Sequence, residues 1–190
     1  MNVVDCLLIP YLLKRVERVG PVSPFTDRRE TTAEHTYSAL ALADYFLKII
    51  PDLNALTVFR MLLYHDYVEI HAGDVFLLDD KGREEKEQRE QAARDRLVTE
   101  LAPEIATEFK AYWDEFEENK TREAQFCKAI DALDAVLQYI DQPAQWKKHG
   151  FTETKLRKFK DPHFVPFPEL QAFFEEVLVY CKEHDVLVKE

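Results

Sequence analysis

Apolar residues recur at helical spacing almost from one end of this chain to the other, and nowhere with the strict alternation of a half-buried strand. That pattern confines the chain to packed helices. Leu12, Leu13, Val16 and Val19 share one helical face near the start, closed by residues 20–25 with Pro21 and Pro24. A second helix begins at Thr31 or Thr32, where a Thr cap stands three residues before Glu34, and runs through Leu40, Ala43, Leu47 and Ile50 to Pro51. Asn54 caps a third, which carries Val58, Met61, Leu62 and His65.

The charged segment 79–90, with Gly82, reads as a solvated loop leading into a helix with Ala92, Ala93, Leu97 and Leu101 turned inward. Pro103 suits the first turn of the next helix, whose Ile105, Phe109, Trp113 and Phe116 form its core face. Another helix runs from Arg122 through Phe126, Ile130, Leu133 and Leu137 to Ile140 and stops near Pro143. A loop rich in Lys, Pro and aromatics follows, and a last helix from Pro168 carries Leu170, Phe174, Val177, Leu178 and Cys181. No repeat or composition shift marks a boundary. Residues 1–190 therefore read as one all-α domain, a helical bundle with its functional core at about 10–142 and a C-terminal helical extension at 143–190.

Composition narrows the function. Only four glycines are present, Gly20, Gly73, Gly82 and Gly150, about 2 % of the chain where about 7 % is usual. No Gly-rich phosphate loop can be assembled from them, so any phosphate must be handled by side chains or a metal ion. The net charge of −11, from 36 acidic and 25 basic residues, opposes a polymeric nucleic-acid partner. A small anion remains compatible where a bound cation reverses the local field. Cys6, Cys127 and Cys181 are odd in number, far apart and never in C-x-x-C, which fits reduced apolar residues of a cytoplasmic protein. No basic flank of a signal peptide and no apolar run of roughly 18 residues is present, so no membrane partner is expected.

Few positions carry chemistry. Each of His35, His65, Asp66 and Asp131 interrupts a face that otherwise reads apolar. Alone, each has an ordinary reading: a hydrogen-bonded core histidine, or for Asp131 a surface acid with Asp134 one turn on. Together they supply two imidazoles and two carboxylates, a mixed N/O set suited to Mn, Fe, Co, Ni or Zn rather than a thiolate zinc site. Adjacent residues on a helix point about 100° apart, so His65 and Asp66 can reach one ion only near a helix end or between packed helices. His71 reads as a partly exposed turn residue, and His149, His163 and His184 receive no role.

The ordered set Ala33-Glu34-His35, His65-Asp66-x-x-Glu69, Gly73-Asp74 and Lys128-Ala129-Ile130-Asp131 resembles the HD-domain superfamily of metal-dependent phosphohydrolases. More narrowly it is similar to the short HD proteins that include bacterial 5′-deoxynucleotidases and the eukaryotic HD-domain-containing protein 2. The resemblance implies one divalent transition metal held by His35, His65, Asp66 and Asp131. It implies that Glu69 handles a proton during ester cleavage, that Asp66 helps orient the nucleophile and that Asp74 faces the sugar. Arg18 is the implied phosphate-holding arginine, although Val19-Gly20-Pro21 follows it where Trp is usual, and Arg28 or Arg29 are alternatives for the role. The implied reaction is hydrolysis of 2′-deoxynucleoside 5′-monophosphates. Another HD phosphohydrolase or phosphodiesterase acting on a small nucleotide, and a metal-stabilised scaffold without turnover, are the rival readings. Members of the group are often homodimers, and Trp146, Phe164 and Phe167, read as exposed, would fit a contact surface.

Overall fold

The computed structural model describes residues 2–22, 28–75 and 85–190. The chain opens with α1 (Val3–Leu8) and a 3-10 helix (Ile9–Arg15), then forms a hairpin of β1 (Glu17–Pro21) and β2 (Arg29–Thr31). The helices α2 (Thr32–Leu47), α3 (Ala55–Tyr64) and the short α4 (Glu69–Ala72) follow. Beyond them come α5 (Lys86–Glu100), α6 (Pro103–Glu118), α7 (Arg122–Leu137), α8 (Pro143–Lys148), α9 (Glu153–Phe164) and α10 (Pro168–Glu183).

Local chemistry sets the helix starts. Thr31 caps α2 in a reciprocal box, its hydroxyl accepting the Glu34 N–H while the Glu34 carboxylate accepts the Thr31 N–H. Asn54, Thr121 and Thr152 cap α3, α7 and α9 with side-chain oxygens. Proline occupies the first turn of α6, α8 and α10, where its missing N–H has no helical partner to lose.

The helices share two adjoining cores. The larger joins α2, α3 and α7 to α9 and α10 through Phe46, Val58, Phe126, Ile130, Leu156 and Phe174. The smaller packs Leu13, Tyr64 and Tyr67 against Leu97 of α5 and Phe109 and Trp113 of α6. All five expected core residues of α10, Leu170, Phe174, Val177, Leu178 and Cys181, are buried. The three cysteines are free and buried.

Four expectations are corrected. Val16 and Val19 do not continue a helix: β1 pairs antiparallel with β2, Glu17 opposite Thr31 and Pro21 opposite Arg29. Gly20 sits where a Cβ would overlap the Tyr139 hydroxyl, a close approach only glycine permits, and Pro24 and Phe25 lie outside the described residues. Residues 79–84 also lie outside them, but the charged segment is helical from Lys86 and turns Ala93, Leu97 and Leu101 inward while Ala92 is exposed. The segment after Pro143 is not a loop: Pro143 starts α8, and Thr152 caps α9. Finally, Trp146, Phe164 and Phe167 are buried rather than exposed, at 6 %, 0 % and 0 %. Periodicity missed them because α8 and α9 are short and Lys-rich.

Phe167 lies edge-on to Phe126 beneath the Arg122 guanidinium. Phe167→Ala is therefore expected to remove about 3–5 kcal/mol of stability, read as a fall in the urea unfolding midpoint; a midpoint matching the wild type would contradict the burial.

Candidate metal centre

His35 enters through the first turn of α2, on the stripe that continues through Ala39, Ala43 and Phe46, and has no exposed surface. His65 is the C-cap of α3, and its N–H still bonds the Met61 carbonyl. After it the chain tightens: Tyr67, Glu69 and Ile70 donate to carbonyls three residues back, through the turn and into the first residues of α4. The His65-Asp66 pair thus occupies a break between helices, which lets neighbouring side chains converge. Asp131 comes from the middle of α7.

Donor atoms of His35, His65 and Asp66 gather within one coordination sphere, and Asp131 approaches the group through His35. His35 Nε2 lies 3.1 Å from Asp131 Oδ1, 3.4 Å from His65 Nε2 and 3.5 Å from Asp66 Oδ2, and His65 Nε2 lies 3.2 Å from that same Asp66 oxygen. Ligands about 2.1 Å from a tetrahedral cation stand roughly 3.4 Å from one another, so the spacings among His35, His65 and Asp66 fit one cation, as does the contact from Asp131 to His35. The other ring nitrogens are committed elsewhere. His65 Nδ1 lies 2.7 Å from the Leu62 carbonyl, which can only accept, so Nδ1 donates and Nε2 keeps its lone pair. His35 Nδ1 lies 2.7 Å from Asp134 Oδ2, a buried carboxylate that orients the ring in the same sense. Glu30 also lies near His35 and Asp134, but the 2.7 Å contact marks a hydrogen bond rather than a second metal position.

The electrostatics call for positive charge. Burial and Arg18 act to lower the His35 pKa, yet hydrogen bonds to Asp131 and Asp134 carry it up to about 10. Asp66 and Asp131 are held below the usual carboxylate range; burial opposes this, but neighbouring histidines and Arg18 prevail. Carboxylates that keep a buried imidazolium in their midst would hold a divalent cation by the same attraction.

The centre opens into a cavity of about 450 Å3. Arg18 projects from β1 into it, its Nε 3.3 Å from Glu30 and its Nη1 3.4 Å from Asp66. Glu69 is buried, accepts the Thr32 hydroxyl at 2.7 Å, and is pushed well above the ordinary carboxyl range by burial and by Asp66, against Arg18. Asp74 lines the cavity and accepts the Val19 N–H at 3.2 Å. Of the alternative arginines, Arg29 reaches the cavity, whereas Arg28 forks onto the Glu34 carboxylate at 2.7 and 2.9 Å. His71 is partly buried and pairs with Glu100 at 2.7 Å.

Sequence reasoning missed the far wall, where Tyr139, Trp146, Phe159, Lys160, His149 and His163 line the cavity. The available signals were local. Asp134 follows Asp131 by three residues on a helix, and His163 follows Lys160 by three, spacings that share a face.

The family model described as HD domain matches residues 12–170. A Xenopus laevis protein named 5′-deoxynucleotidase HDDC2 is 32 % identical over 168 residues, covering 86 % of this chain and 82 % of its own length. The Homo sapiens protein of the same name is 33 % identical over 168 residues, covering 84 % and 80 %. A crystal structure of a predicted metal-dependent phosphohydrolase from Magnetospirillum magnetotacticum MS-1 superposes with a TM-score of 0.84 at 31 % identity, over 98 % of this chain and 96 % of that one.

Asp134→Ala should weaken metal affinity by about 10- to 100-fold, because it frees the His35 ring to turn. Calorimetric titration with Mn²⁺ reads the change, and an affinity equal to wild type would show that Asp134 does not hold the ring.

Proposed function

The chain belongs to the HD-domain family, and from that premise we propose that it hydrolyses 2′-deoxynucleoside 5′-monophosphates to deoxynucleoside and inorganic phosphate. The observation that carries the reading is the convergence of His35, His65 and Asp66, with Asp131 beside His35, at a cavity that Asp66 and Asp131 line together with Arg18 and Glu69. The four are assigned as ligands of one divalent cation, with Mn, Co, Fe, Ni and Zn all matching their N/O chemistry. When bound, that cation supplies Lewis acidity to a phosphoryl oxygen and acidifies water in the site.

The side chains divide the remaining tasks. The Arg18 guanidinium, kept charged among acids, offers a planar fork to phosphate oxygens. Burial and the Asp66 charge push the Glu69 carboxyl well above the ordinary range and so favour its protonated form, and Thr32 fixes one of its oxygens. It is assigned as the general acid. As water oxygen bonds to phosphorus and the P–O5′ bond breaks, the Glu69 proton passes to the departing 5′-oxygen. Asp66 is assigned to orient the attacking water, and Asp74, fixed by the Val19 N–H, to face the sugar.

Among the described residues no helix is long and apolar enough to cross a membrane. Three buried free cysteines support a reducing, cytoplasmic setting. With the C-terminal aromatics buried, support for a homodimer moves to Val3, Val4, Leu7, Leu8 and Tyr11, an exposed apolar row at the N-terminus. The whole of 1–190 is assigned to one HD domain in which 143–190 supplies a cavity wall rather than a separate unit.

Mn²⁺-loaded protein is expected to release phosphate from a panel of deoxynucleoside monophosphates; inactivity on every member, with metal confirmed bound, would refute the reading. Glu69→Gln should lower kcat by about 10²- to 10⁴-fold with metal content intact. In the wild type, kcat should fall as rising pH removes the Glu69 proton, and that alkaline limb should be absent from the Gln variant. A scaffold without turnover would show neither effect.

A further inference from the structure

Three partly buried cationic side chains line the cavity: Arg18, Lys86 and Lys160. Arg18 is paired with Glu30 and Asp66, and Lys86 with Glu90 at 3.4 Å. Lys160, from the middle of α9, makes no hydrogen bond or ion pair with any described residue. A half-buried ammonium on a cavity wall, with water as its present partner, is well placed to receive an anion, since partial desolvation of a charge is costly unless an opposite charge offsets it. Burial does pull its pKa down, to about 8, against the charge of Asp131.

Its place in the field says which anion it lacks. Lys160 lines one cavity with Arg18, Asp66 and Asp131, the side on which the metal centre opens, and the charges of Asp131, Arg18 and Asp134 act on it there. It therefore faces the centre from the C-terminal wall, whereas Arg18 reaches it from β1. A phosphate seated at the centre would meet a guanidinium on one side and this ammonium on the other.

We propose that Lys160 binds the substrate phosphate, acting as a second cationic arm that completes the phosphate site from the C-terminal segment. The proposal deepens the phosphohydrolase reading and rests on it. It also gives residues 153–164 a chemical purpose: α9 carries the ammonium on the same side as His163, both toward the cavity. A phosphate dianion is favoured over a neutral base or sugar because a lone ammonium beside an arginine and a metal centre is matched by charge rather than by shape.

The test is calorimetric titration of inorganic phosphate into Mn²⁺-loaded protein at low ionic strength, for wild type, Lys160→Met and Lys160→Gln. Both variants keep much of the side-chain length, and metal content and circular dichroism verify that each is folded. The expected result is phosphate affinity about 10-fold or more below wild type, the scale of one lost charge-assisted hydrogen bond. The salt dependence of phosphate binding should also be shallower than in wild type, which a merely structural lysine would not produce. KM for a deoxynucleoside monophosphate should rise by a similar factor. Wild-type phosphate affinity in either folded variant would overturn the assignment. Because phosphate binding is read without turnover, an inactive wild type would count against the deoxynucleotidase reading alone, while unchanged phosphate affinity in an otherwise active enzyme would count against Lys160 alone.

Discussion

His35 meets a carboxylate at each ring nitrogen, Asp134 at Nδ1 and Asp131 at Nε2, and none of its surface reaches water. A polar ring so enclosed is tolerable only while both partners stay in place, because a buried charge left unpaired costs several kcal/mol. One partner set comes from α2 and the other from α7, so this contact fixes how those helices lie against each other. The apolar surroundings follow the same constraint. Ala39 and Ala43 succeed His35 on α2, and Ala129 and Ala132 flank Asp131 on α7, small residues that let the two backbones approach. Phe116 closes the far side, edge-on to His65 with ring centroids 5.2 Å apart. Packing and charge therefore select the same arrangement.

Position of the HD dipeptide follows from helix geometry. On a continuous helix His65 and Asp66 would diverge by about 100°. At the end of α3 the two side chains nonetheless meet, His65 Nε2 3.2 Å from Asp66 Oδ2, and the turn that follows delivers Glu69 at the start of α4. The Leu62 carbonyl, left free by the ending helix, receives the His65 Nδ1 proton. A backbone group that needs a donor thus sets the tautomer that leaves Nε2 open.

What could be read from sequence was whatever one element encodes by itself. The Thr31 cap, the Asn54 cap, the Phe109-Trp113-Phe116 face and the buried face of α10 are local patterns, and each appears in the structure. The cluster of His35, His65, Asp66 and Asp131 was legible because its residues break apolar faces in a recognisable order. The hairpin was not, because strands of five and three residues are too short for alternation to register, and their register is irregular. Asp134 received no role of its own because its partner, His35, lies 99 residues away. The wall built by α8 and α9 was illegible for the same reason: Lys160 and His163 acquire meaning only when the C-terminal segment folds back over α7.

Charge segregation reconciles this chain's acidity with an anionic substrate. The net charge of −11 is a property of the whole sequence, whereas a substrate responds to the charges that line its cavity. There Arg18, Arg29, Lys86, Lys148 and Lys160 supply the cations. Opposite them stand Asp66, Glu69, Asp74 and Asp131. A divalent cation would offset Asp66 and Asp131, and burial pushes the Glu69 carboxyl well above the ordinary range and so toward its neutral form, which leaves the cavity lining with an excess of positive groups. The surrounding acidic surface then becomes an asset for selectivity, since it repels long polyanions that cannot enter while the cavity attracts a small one that can. A chain with four glycines has no backbone cradle for phosphate, and it places the positive charge on side chains that a short substrate reaches one at a time.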